Sequence, residues 1–69
     1  MTTTEAIIEV QTTHTAVSAA LRNASDKATL RAARRAYKVA SLNLWNAWKA
    51  EGHPEAAGEY LSIYGICFA

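Results

Sequence analysis

Leu30, Ala33, Tyr37, Ala40, Leu44 and Ala47 recur by alternating steps of three and four. A helix of about 3.6 residues per turn gathers these positions on one face, whereas a strand would split them between two. Trp48 stands at the edge of this stripe, one turn past Leu44. Ser25 or Asp26 can open the helix, because a short side-chain oxygen satisfies an orphan N–H there. Gly52 followed by His53-Pro54 closes it: glycine accepts the left-handed conformation, and a residue before proline avoids the helical region. The spacing therefore predicts one helix over about 26–51, nearly 40 Å long at roughly 1.5 Å per residue. That is too long for a ball of 69 residues. A hairpin, or a bundle completed by another copy, is the expected solution.

A first helix over about 3–22 supplies the other arm. Thr2 and Glu5 have the spacing of a capping box, in which each side chain reaches the other's backbone N–H. Ile7, Val10, His14, Val17, Leu21 and Ala24 form a coiled-coil-like seam. Thr12, Thr13 and Thr15 lie off it and lower helix propensity only slightly. Asn23 to Asp26 is a short connection of turn and capping residues, which joins antiparallel neighbours. Folding the hairpin sets Leu21 opposite Leu30, Val17 opposite Ala33, His14 opposite Tyr37, Val10 opposite Ala40 and Ile7 opposite Leu44. Each small alanine then faces a valine, so the helices can approach closely.

The segment after Gly52 reads as a short helix over about 54–67. Pro54 suits a first helical position, and Glu55 and Glu59 suit the positive end of a helix. Leu61, Tyr64 and Phe68 share one face, with Tyr60, Ile63 and Cys67 beside it. Gly58 and Gly65 weaken the helix, and residues 60–68 could instead make a strand. A lone strand has nothing to pair with in this chain, so helix is preferred. The expected fold is all-α: one domain over 1–69, an antiparallel hairpin plus a C-terminal helix. Trp48, Tyr60, Tyr64 and Phe68 exceed what one hairpin can cover, so self-association is expected through them.

Composition points the same way. At 69 residues a single core barely balances conformational entropy, and much of the 51% hydrophobic content is alanine, which buries little. Net charge is only +1, yet residues 26–51 carry six basic and two acidic side chains. Cys67 is the only cysteine, so no internal disulfide can form, which suits a reducing compartment. No basic segment leads into an apolar run at the start, and no stretch approaches the ~20 apolar residues that span a bilayer. A cytoplasmic protein without a membrane partner is expected.

Little in the sequence carries chemistry. His14 faces a tyrosine in an apolar seam and reads as a core histidine bonded to the Tyr37 hydroxyl or a backbone carbonyl. His53 sits at a helix boundary as a cap, and Cys67 reads as a small buried hydrophobe. These residues lack zinc-site spacing. Glu5 and Glu9, near a helix start, read as dipole partners before acid–base catalysts. No phosphate loop, metalloprotease helix or nucleophile elbow is present. An enzyme, a cofactor, a metal site and a small-molecule substrate are therefore not expected.

The basic residues of the second helix are the candidate working surface. Lys27, Arg31, Arg34 and Lys38 run beside the apolar stripe, a quarter-turn away, with Arg35 next to them and Trp45 and Lys49 continuing the line. One reading is a solvated helix face. The functional reading is docking on an anionic surface, where arginine and aromatic side chains are the usual anchors. An acidic protein surface is expected ahead of nucleic acid. Residues 29–52 also faintly resemble helix-turn-helix motifs, through Ala32-Ala33, Val39 and Ser41-Leu42-Asn43. That resemblance implies a turn near Tyr37 and Lys38 and DNA binding. It departs from the motif in lacking a turn glycine and in placing Arg34 where a small residue is expected. A basic helix can also bind nucleic acid nonspecifically through phosphates. The leading expectation is a small non-enzymatic interaction protein, adaptor or inhibitor in type. Its size would suit an accessory protein of a phage or mobile element.

Overall fold

The computed structural model describes residues 2–23 and 26–62. The chain forms three helices, α1 (Thr3–Arg22), α2 (Lys27–Ala50) and α3 (Pro54–Ser62), and no strand occurs among the described residues. The fold is the all-α hairpin with a short third helix that the spacing predicts. Its long dimension of 39 Å follows from α2, whose 24 residues rise about 36 Å.

Local chemistry sets each boundary. The Thr2 hydroxyl accepts a hydrogen bond from the Glu5 N–H at 3.2 Å, and the Glu5 carboxylate accepts one from the Thr2 N–H at 3.1 Å. This closes the capping box. Asp26 caps α2 by accepting from the Thr29 N–H at 2.9 Å. At its other end Gly52 adopts φ 85°, and its N–H donates to the Lys49 carbonyl at 3.1 Å. The His53 N–H donates to the Trp48 carbonyl at 2.8 Å, which completes a Schellman motif. The chain reverses there, Pro54 opens α3, and α3 packs back on α2.

The hairpin register is antiparallel. The His14 and Tyr37 rings stand 5.9 Å apart at 58°, and the Asn43 amide donates to the Glu9 carboxylate at 3.5 Å. Ala6, Val10, Val17, Tyr37, Ala40, Leu44 and Leu61 form the core, with Ile7, Leu30, Ala33, Ala47, Trp48 and Tyr60 packed against it. Burying a side chain such as Leu44 contributes about 1.5–3 kcal/mol. α3 closes the open end: Leu61 enters the core, Tyr60 meets Trp48 edge-on at 5.8 Å, and Gln11 donates to the Tyr60 hydroxyl at 3.4 Å.

One seam residue departs from expectation. Leu21 does not complete the seam, being 55% exposed, while Ala20 beside it is buried. α1 presents Ala6, Val10, Val17 and Ala20 as its buried residues. A straight helix drifts about 20° per heptad from a 3.5-residue seam, and the alanines allow close approach on that side. Ser41 is buried, its hydroxyl satisfied by donating to the Tyr37 carbonyl at 2.8 Å. α2 runs unbroken through Tyr37 and Lys38, so the turn of a helix-turn-helix is not formed. α3 is described to Ser62; the rest of the expected 54–67 helix, with Tyr64, Cys67 and Phe68, lies outside the described residues, as does Ala24.

Candidate interaction surface

The outer face of α2 is built by helical phase. With the seam residues turned toward α1 and α3, the line a quarter-turn or more away faces outward. Lys27, Arg31, Arg34, Arg35, Lys38, Trp45 and Lys49 are all exposed. They extend along about 33 Å of helix, from 22 steps at roughly 1.5 Å each. The structure thus brings the expected docking residues onto one side of one rigid element.

This row works against its own helix. Lys27 and Arg31, Arg31 and Arg35, and Arg34 and Lys38 are like-charged pairs four residues apart. Each such pair destabilises a helix by about 0.2–0.5 kcal/mol. The acidic residues nearest in sequence, Asp26 and Glu51, sit at the two caps of α2. Among the described residues no hydrogen bond or ion pair engages the row's cations.

The row is interrupted by an apolar window. Leu42 is 55% exposed and Trp45 is 43% exposed, one turn apart, with Val39 on the neighbouring outward position. Lys38, Ser41, Leu42 and Trp45 line a shallow groove of about 130 Å³. Sites for drug-sized ligands run to about 300–1,000 Å³, so this groove suits one side chain rather than a small molecule. Ser41 forms its floor with a hydroxyl already bonded to the Tyr37 carbonyl. Sequence reasoning placed Ser41 and Leu42 in the helix-turn-helix resemblance and not in the docking row. The signal was present: Leu42 follows Lys38 by four and precedes Trp45 by three, the spacing of neighbours on one face.

Trp48 and Tyr60, expected at a self-association surface, are half-buried against the chain's own core and against each other. Tyr64 and Phe68 lie outside the described residues. Burial raises the Tyr37 phenol above its ordinary value of 10.0, with Ser41 opposing and Tyr60 reinforcing the shift. Tyr37 is therefore a neutral core residue near neutral pH. His14 is half-buried beside it. Among the described residues, no group of three or more His, Cys, Asp or Glu is placed to hold a metal ion. No described helix is long and apolar enough to cross a membrane.

Comparison with protein-family models, with curated proteins and with solved structures finds no match to this chain.

Proposed function

We propose that this protein is a small non-enzymatic interaction module, adaptor or inhibitor in type. It docks on an acidic protein surface through the outer face of α2. The observation that carries the reading is Leu42 and Trp45, exposed inside a row of cations. Exposed apolar and aromatic groups ringed by charge are the composition of an interface centre with a polar rim. The like-charged pairs add weight, since a helix that breaks a local rule without structural gain does so at working surfaces. A single cysteine suits a reducing compartment, so a cytoplasmic setting belongs to this reading. Nonspecific nucleic-acid binding is the second reading, favoured by the same cations.

Charge reversal separates these readings from a merely solvated face. Arg34→Glu combined with Lys38→Glu should leave unfolding within about 0.5 kcal/mol of wild type, because both residues are exposed. Affinity capture from lysate, quantified by mass spectrometry, should lose its specific partner with this variant and with Trp45→Ala. An unchanged set of captured proteins would refute docking through this face. Binding that depends on the cations but not on Trp45, falls steeply with salt and ignores sequence would favour nucleic acid.

A further inference from the structure

We infer that the groove formed by Lys38, Ser41, Leu42 and Trp45 receives the apolar edge of an acidic amphipathic helix. The inference rests on the docking face proposed above and names the class of partner that fits it.

The first argument is size. At about 130 Å³ the groove is close to the ~150 Å³ of an enclosed cavity that holds benzene. It accepts one leucine- or phenylalanine-sized anchor, seated over Ser41 between Leu42 and Trp45. Ser41 offers no competing polar demand, since its hydroxyl donates to the Tyr37 carbonyl at 2.8 Å.

The second argument is shape. The groove lies on the surface of an unbroken helix whose backbone groups are bonded within α2. It has no free strand edge, so an extended peptide gains no main-chain pairing there. A second helix packs on such a surface by setting its side-chain ridges into the grooves of the first.

The third argument is charge complementarity. Arg34 and Lys38 border the apolar window on one side, and Lys49 lies one turn beyond Trp45 on the other. A partner with carboxylates on both sides of its apolar anchors would meet cations at each. A basic partner would place like charges together, which costs affinity. Phosphates could answer the cations, but they would leave Leu42 and the face of Trp45 uncovered.

The test is an unbiased selection. A library of stable helical peptides is displayed with apolar anchor positions one turn apart and flanking positions free to be Asp, Asn or Lys. Selection on the wild-type protein should enrich Asp at flanks on both sides of the anchors. The enriched peptides should lose roughly tenfold or more in affinity toward Arg34→Glu/Lys38→Glu. They should also fail to bind Leu42→Asp, whose fold is checked by circular dichroism. Peptides that need Leu42 and Trp45 but carry Asn or Lys flanks would overturn the acidic partner and leave the docking face standing. Enriched peptides that bind Leu42→Asp as well as wild type would overturn the groove itself. No groove-dependent peptide, together with salt-sensitive binding of a short duplex oligonucleotide, would overturn both the inference and the protein-docking reading.

Discussion

Leu42 and Leu44 stand two positions apart on α2 and meet opposite surroundings. Leu42 is 55% exposed in the row of cations, and Leu44 is 0% exposed, enclosed with Val10, Tyr37, Ala40 and Leu61. The residue type is the same and so is the helix. What differs is phase: two steps of about 100° carry a side chain to the opposite side of the axis. One face of α2 is committed to holding the fold; the other carries a row of exposed cations and an apolar window. The hairpin's two ends repeat the contrast. Leu61 of α3 joins the core at the open end, whereas Leu21, near the loop, projects into solvent.

The contrast between the ends can be broken by removing what covers the open one. Leu61→Ala should destabilise by about 2 kcal/mol or more in urea unfolding, the range for a buried leucine. A loss near zero would mean that α3 does not complete the core. At the loop end, Leu21→Ala should change stability by less than about 1 kcal/mol. A loss as large as that of Leu61→Ala would restore Leu21 to the seam.

The caps sharpen the comparison with a smaller, pH-dependent effect. Hydrogen bonds from Thr2, backbone first and then side chain, hold the Glu5 carboxyl below its ordinary 4.5. Hydrogen bonds from Thr29 hold Asp26 below its ordinary 3.8. A group whose pKa is depressed by folding stabilises the fold above its unfolded value and loses that effect as pH falls through its folded value. Thermal stability should therefore decline on acidification below about pH 4.5. Glu5→Gln with Asp26→Asn should flatten that decline while keeping side-chain oxygens at both caps. An acid limb as steep as wild type in the double variant would assign it to other groups.

Much of the fold was legible because its signals are local. The three-four stripe of α2, the Thr2–Glu5 spacing, Asp26 and Gly52-His53-Pro54 each state a boundary or a face through backbone chemistry. The phase of α1 was legible at Val10, His14 and Val17 but not at its loop end. Ile7 and Leu21 advertise a seam more loudly than Ala6 and Ala20, yet close approach favours the alanines. The expected docking residues were readable as a charge pattern. The groove among them was not, because it depends on where Ser41 and Leu42 sit once α1 and α3 have taken the other side. The contact between Trp48 and Tyr60 was not legible for a related reason: aromatic excess says that rings must be covered, not by what.

The orientation of α2 underlies both the fold and the docking face, and one paired measurement tests it most directly. Unfolding free energies of Leu44→Ala and Leu42→Ala, taken from urea titrations under identical conditions, should differ sharply. Leu44→Ala should lose about 2–5 kcal/mol and Leu42→Ala less than about 0.5–1 kcal/mol. Equal losses, or a larger loss at Leu42, would mean that the helix presents a different face to its neighbours and that the groove is part of the core.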